Sequence, residues 1–509
     1  MSAEQGWYFT PASHGPLLGV LPELVRQRRR LHELFLRYAT AARAVDKPFV
    51  KLSVGPLRRM DLVADPAVAD EVLRSPSFAD RTSFPIIDAI YAQFVGAAGI
   101  AANMGGITFV NAEAWRRNRV AALRCLSRPS FLLDVRRVTQ ACADRLTASW
   151  QARGLVGSKQ PVDLGRELSR LAIDVMGLLC WKTDLGAIDG DLERFVQPVH
   201  TMLDAIQRYI YVPLPAAVLA RLPTPTLRRL RTAVQTLREQ GDALLASRID
   251  PAGRLAQPEA DDVLAFLLHE LVQDPMAPTR DELDNVQATL MDLLGAGHDT
   301  TANSMAFCLG LLAQPAQPTW QDRIAAEAQR PLGDSGDGRS APLLTAAYRE
   351  TLRLFPLGAM FSRVASADTT LPLGEKGSVV LPAGTQLFVS PYVLGRDPRE
   401  WRDVEQFQPQ RHLSTGEAGL GCPHLVKLRA PAYAPYGGGK RSCVGAQLAE
   451  VEAQAAIGRI LRSLRLELVA QDAPIEADLL FTLRPRQPLW VRLEPRPAGP
   501  APVPERRAQ

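Results

Sequence analysis

The chain has 509 residues, 46% of them hydrophobic and 22% charged, with a formal net charge of +5. That is the composition of a soluble globular protein with ample core, and no basic cluster interleaved with aromatics points to a nucleic-acid partner. No window of about 18 apolar residues is present, so no transmembrane anchor is expected. Met1 to Trp7 lacks the basic start and apolar run of a signal peptide. Six scattered cysteines without a C-x-x-C pair suggest a reducing compartment and give poor support to zinc. A cytoplasmic location is expected.

Pro22 to Arg43 reads as an amphipathic helix with Leu24, Leu31, Leu34, Phe35 and Tyr38 on one side. Its Arg26, Arg28, Arg29 and Arg30 form a solvated face or touch anionic lipid. Phe49 to Leu52 and Arg59 to Val63 alternate like two strands around Gly55-Pro56, and Asp65-Pro66 opens a short helix. Residues 78–110 are apolar and dotted with glycine, without a sustained period, and read as an irregular loop. Trp115 and Arg119 are four apart, so a helix presents an indole N–H and a guanidinium together. That pair suits a carboxylate, or equally an arginine stacked on a tryptophan.

From Pro129 to about Gln314 the pattern is helical, broken at 154–161, 211–223 and 250–259. The last helix of this region is the longest. Thr279 and Glu282 form a capping box, Leu283, Val286, Leu290 and Leu294 carry its apolar face, and Pro315 stops it. A helix of about 35 residues spans about 50 Å, enough to cross a domain. At its middle lies Gly295-Ala296-Gly297-His298-Asp299-Thr300-Thr301. Glycines beside an acid and two hydroxyls weaken a buried helix, so this is either a kink with local backbone bonding or a site.

Downstream, Glu350 and Arg353 stand one helical turn apart, within ion-pair reach. Thr370 to Leu373 and Val379 to Val389 look strand-like, and Phe481 to Leu483 with Leu489 to Val491 look like a final strand pair. Tyr436-Gly437-Gly438-Gly439-Lys440-Arg441-Ser442-Cys443-Val444-Gly445 precedes a run of helix formers. The glycines let the backbone turn sharply and lie flat against something. Cys443 stands at a helix N-terminus behind an arginine, a setting that favours thiolate. Taken alone, Cys443 also reads as a buried structural cysteine.

The loop Tyr436-x-x-Gly439-x-Arg441-x-Cys443-x-Gly445 resembles the haem-binding loop of the cytochrome P450 superfamily, with Tyr where Phe is usual. Trp115-x-x-x-Arg119, Ala296-Gly297-x-Asp299-Thr300, Glu350-x-x-Arg353 and Phe407-x-Pro409-x-Arg411 resemble that family's other motifs, in its order. The resemblance runs from about residue 45 to 491 and implies a mainly α fold with small β-sheets and a long central helix crossing over the haem. It divides the chain into an N-terminal segment (1–44), one catalytic domain (45–491) and a Pro/Arg-rich tail without order (492–509).

The same resemblance implies heme b (iron protoporphyrin IX) as cofactor, with Cys443 as the iron ligand. Trp115, Arg119, Arg363 and Arg441 would bind its propionates, and Tyr436, Gly439 and Gly445 would lie against it. Asp299 and Thr300 would serve O2 activation, and Glu350, Arg353 and Arg411 would form a structural triad. Gly395 stands where the family often has His. Electrons from NAD(P)H would arrive through a separate ferredoxin or flavodoxin and its reductase, docking on Arg116, Arg117, Lys440, Lys427 and Arg429. The implied reaction is monooxygenation of a medium-to-large hydrophobic small molecule, with Met291, Phe361 and Phe481 prominent in the pocket. Alternatives are a peroxide-using peroxygenase or hydroperoxide rearranging enzyme, and a non-catalytic haem protein.

Overall fold

The computed structural model describes residues 6–54, 58–82, 84–90, 106–108, 110–190, 192–210, 212, 214–219, 221–255, 261–329, 341–414, 424–425, 433–470 and 473–496. The Gly55-Pro56 turn, the glycines at 96–99, Lys427, Arg429 and the tail beyond 496 lie outside these residues.

The fold is mainly helical. Its axis is the central helix Arg280–Leu312, which packs against helices Leu164–Trp181, Val263–Leu271, Pro342–Leu354 and Ala446–Ser463. The Thr279 hydroxyl accepts from the Glu282 backbone and the Glu282 carboxylate accepts from the Thr279 N–H, so the expected capping box starts it. The helix runs 33 residues without interruption through the glycine-rich middle. Gly297 is required there by packing, because a Cβ would lie 2.8 Å from the Met176 side chain. Its neighbour therefore approaches more closely than any larger residue would permit.

Two polar ties fix the central helix to the Trp115 helix (Ala112–Leu126) and to the residues before it. Asn285 and Asn118 exchange amide hydrogen bonds of 2.9 and 3.0 Å, and Asn118 also donates to the Gly106 carbonyl. Asp292 accepts from the backbone N–H groups of Ile107 and Thr108 at 2.7 and 2.8 Å. Both asparagines are fully buried, where amides persist only when paired.

The main sheet aligns Tyr8–Phe9, Phe49–Val50, Asp61–Val63, Gln386–Val389 and Phe361–Val364 in that order. Leu387 pairs with Arg363 in its last antiparallel step, which fixes where Arg363 enters the interior. Asp65 caps helix Pro66–Arg74 as expected.

Four sequence expectations are corrected. The first amphipathic helix is two, Leu21–Arg26 and Leu31–Ala44, joined by a 3-10 turn at Arg28–Arg30. Leu34 and Phe35 from the second enter the main core, which the arginine cluster between the two helices cannot do without losing its water. Residues 85–90 are helical rather than irregular, with Ile86, Ile87 and Ile90 buried. The final segments do not pair with each other: Leu483–Pro485 pairs with Ala477–Leu479, and Trp490–Pro495 pairs with Leu464–Leu468 and Val162–Asp163. That last strand continues to Pro495, so residues 492–495 belong to a sheet.

Candidate active site

A cavity of about 350 Å³ lies between the central helix and the cysteine loop. Ala296, Gly297 and Thr300 form one wall, and Tyr436, Cys443 and Gly445 the other. Phe361 and Phe481 line it as expected, whereas Met291 is not among its lining residues. Leu293, Leu357 and Leu479 extend the apolar surface, and Arg28, Gln207 and Asp292 are polar exceptions.

Helix Ala446–Ser463 begins at Gly445 and places Cys443 before its first turn. The Cys443 N–H donates to the Tyr436 carbonyl at 2.8 Å and closes the loop on itself. Cys443 is accessible only from the cavity it lines, and protein encloses that space around it. The expected preference for thiolate is reversed in the free residue. Burial pushes the Cys443 thiol up, and the Gly445 N–H with Arg119 and Arg81 offsets this only in part. Gly439 has φ +63°, and a Cβ there would lie 2.0 Å from the Leu73 carbonyl oxygen. Its flat approach is to the end of helix Pro66–Arg74, and it does not line the cavity. The Tyr436 hydroxyl is buried without a hydrogen bond of normal geometry, in reach of the Tyr348 hydroxyl.

The expected arginines converge at the rim. Arg119 donates to the Ser442 carbonyl at 2.7 Å and to the Ser442 hydroxyl at 3.2 Å, so it braces the cysteine loop. Arg441 donates to the Ala79 carbonyl and to Asn111 Oδ1, each at 2.6 Å, with its guanidinium over the Trp115 ring. Arg363 is 1% exposed and donates only to the Ser362 carbonyl; its Nε and one Nη have no partner. Arg119 and Arg441 line the cavity together with a fourth cation, Arg81, which nothing in its sequence setting marked, whereas Arg363 is not among the lining residues. Burial lowers the Arg363 and Arg441 guanidinium pKa values to about 9 and about 8, and Arg81 lowers both further. Against these cations Asp80, 3.9 Å from an Arg441 Nη, offsets the lowering only in part.

On the opposite wall the Thr300 hydroxyl donates to the Ala296 carbonyl at 2.5 Å. Asp299 turns away from it. Its Oδ2 accepts from Thr482 at 2.5 Å, its Oδ1 accepts from Asn303 at 3.1 Å, and His200 Nε2 is 3.7 Å from Oδ1. Burial would raise this carboxyl, yet the contacts with His200, His298 and Thr482 hold it below the usual range. The two residues of the motif are thus adjacent in sequence but face different surroundings. Thr482 and His200 were not legible, since they come from a distant turn and another helix.

Behind the cysteine helix, Glu350 gathers four partners. Arg353 binds it at 2.8 and 2.9 Å, Arg411 at 3.1 Å, His412 Nε2 at 2.8 Å, and the Gln408 N–H at 3.0 Å. Burial opposes the charge, but His412 and Arg353 pull the Glu350 pKa to about 2. The triad is present, with His412 as an unforeseen fourth member. Of the proposed basic patch, Arg116 is exposed and ion-paired to Glu113, and Lys440 is exposed.

The residues fit haem on this structure's own terms. Arg363 presents unpartnered N–H groups, the neighbouring cations lower one another's pKa, and a thiol faces the cavity between them. A planar macrocycle with two carboxylates would satisfy all three. A helical protein with one cysteine loop facing the middle of its longest helix, ringed by arginines, is of the haem-thiolate class. The chain belongs to the cytochrome P450 family, whose model matches residues 10–491. It is 27% identical over 481 residues to cytochrome P450 97B2, chloroplastic, of Glycine max, covering 88% of this chain and 80% of that one. It is 26% identical to the chloroplastic carotene epsilon-monooxygenase of Arabidopsis thaliana, covering 88% and 80%. Similarity to the mitochondrial 25-hydroxyvitamin D-1 alpha hydroxylase of Rattus norvegicus is also 26%, covering 85% and 83%. Among the described residues no helix is long and apolar enough to cross a membrane.

Proposed function

We propose that this chain is an O2-dependent monooxygenase that hydroxylates an apolar, isoprenoid-derived molecule with electrons from a separate protein. The observation that carries it is the cavity itself, with Cys443 on one wall, Ala296 and Thr300 on the other, and an under-neutralised arginine cluster at the rim. Haem, when bound, supplies the oxygen chemistry and the protein supplies orientation and access. Cys443 would hold the iron, and Arg363, with Arg81, Arg119 and Arg441, would hold the propionates. Thr300 keeps a hydroxyl at the cavity wall, and Asp299 holds an ionised carboxylate behind it. The apolar wall formed by Leu293, Phe361, Leu479 and Phe481 excludes water and selects hydrocarbon.

The isoprenoid class rests on the relatives named for carotene and vitamin D oxidation. A ferredoxin-type donor docking on Arg116, Arg117 and Lys440 is part of the same proposal, as is residence in the cytoplasm. Named relatives are chloroplastic or mitochondrial, so cell fractionation separates these locations. The peroxide-using alternative is disfavoured because those relatives are named as a monooxygenase and a hydroxylase.

The test is spectroscopic. The reduced protein under carbon monoxide should show the strongly red-shifted Soret band of thiolate-ligated haem, and Cys443→Ala should lose it. A native protein without that band overturns the proposal. A spin-shift screen of carotenoids, sterols and fatty acids then identifies the substrate class.

A further inference from the structure

A second, polar cavity of about 240 Å³ adjoins the first, lined by Arg29, His200, Asp204, Arg229 and Arg484 among others. Leu480 lines both cavities, so the turn carrying Leu480 to Thr482 forms part of the partition between them. Through that partition runs a continuous polar contact. Thr482 lines the apolar cavity, donates to Asp299 Oδ2 at 2.5 Å, and Asp299 Oδ1 lies 3.7 Å from His200 Nε2. His200 has 36% of its side chain exposed and lines the polar cavity, whereas Asp299 has 8% and lines neither.

We propose that His200 is the proton entry residue of this enzyme, passing protons from the polar side cavity through Asp299 and Thr482 into the apolar one. It deepens the monooxygenase reading, on which the inward direction of flow rests. In each transfer His200 gives its Nε2 proton to Asp299 Oδ1, by imidazole rotation or across one bridging water. The Thr482 hydroxyl proton, which here points at Asp299 Oδ2, swings to a basic atom in the apolar cavity, and the protonated carboxyl turns its O–H towards Thr482 Oγ1 and replaces that proton. His200 is reprotonated by solvent, and nothing is oxidised or reduced.

In this structure the Thr300 hydroxyl donates to the Ala296 carbonyl, and the hydroxyl that bonds the Asp299 carboxylate is that of Thr482. His200 faces Asp299 and His298 of the central helix, Asp204 of its own helix, and Arg29, Arg229 and Arg484 across the side cavity. Arg484, which also feels the Asp299 charge, lies in the strand that follows Thr482.

Two readouts test this. The chain has 7 histidines, so ring-labelled histidine resonances can be followed by NMR in the haem-loaded protein, with His200 assigned from His200→Gln. Asp299→Asn should shift the His200 ring resonances, since Asp299 Oδ1 lies 3.7 Å from His200 Nε2. His200 resonances unmoved in Asp299→Asn overturn the coupling. This measurement stands even if the oxygenase reading fails. Donor-driven O2 consumption supplies the second. His200→Gln and Thr482→Val should each slow it roughly tenfold, enlarge the solvent deuterium isotope effect and leave the carbon monoxide band in place. Rates and isotope effects equal to wild type in both variants overturn the relay. Absence of O2 consumption in the wild type would instead count against the monooxygenase reading.

Discussion

The guanidinium of Arg441 lies over the face of Trp115, with its central carbon 3.9 Å from the ring centroid. Arg119, one turn along the same helix, is 6.0 Å from that ring. Trp115 is therefore a platform that orients Arg441, in addition to any hydrogen bond its indole makes. Cation–π contacts are worth about 0.5–2 kcal/mol and survive replacement by another ring. Trp115→Phe should retain haem with a loss of a few-fold at most, and Trp115→Ala should lose it at least tenfold faster. Haem transfer to an excess of scavenger protein measures both rates.

Arg363 is the rim cation whose buried Nε and Nη are left over. A charged hydrogen bond contributes about 1.5–3 kcal/mol. Arg363→Gln should therefore raise the haem dissociation rate by about one to two orders of magnitude. The apoprotein should be no less stable, because the guanidinium is unsatisfied without its anion. Loss of apoprotein stability would make Arg363 a structural residue instead.

Glu452 is fully buried in the cysteine helix, and neither carboxylate oxygen has a partner. Burial raises its pKa to about 8 from 4.5. The folded state thus binds the proton more tightly than the unfolded chain. Its stabilising contribution is complete below about pH 4.5, declines as the pH rises, and is gone above about pH 8. Glu452→Gln should flatten that decline and leave the variant more stable than wild type at pH 9, by on the order of a few kcal/mol. Urea unfolding across the pH range reads it.

Glu350 has the opposite sign. Its pKa falls from 4.5 to about 2, so its contribution is present above pH 4.5 and lost as the pH falls through about 2. Glu350→Gln leaves Arg353 buried without its carboxylate, a change that costs about 3–5 kcal/mol. The variant should unfold at lower urea at neutral pH, and its acid limb should be shallower than the wild type's.

Tyr436 offers a stabilising change. Its buried hydroxyl makes no hydrogen bond of normal geometry, with the Tyr348 hydroxyl in reach, so Tyr436→Phe removes a desolvated polar group and keeps the ring. An increase of about 1 kcal/mol is expected, with the carbon monoxide band unchanged. Thermal unfolding of the haem-loaded protein decides it.

The elements and the ligand cysteine were legible because they depend on local rules. The capping box at Thr279, the apolar face of the central helix and the glycine-rich approach to Cys443 all act within a few residues of themselves. The Glu350–Arg353 pair is likewise one helical turn of geometry. Sequence spacing therefore determined the fold class, the family and the position of the thiol.

What only the tertiary structure decided is direction and company. Asp299 and Thr300 are neighbours on one helix, yet successive helical side chains point about 100° apart, so one meets Thr482 and His200 while the other meets Ala296. Arg81 joins the rim, His412 joins Glu350, and Gly439 turns out to serve Leu73, each through chain segments brought together only by folding. The charge state of Cys443 also belongs to this level. A helix start and an arginine argue for thiolate, but burial is a property of the whole interior, and in the free residue it prevails.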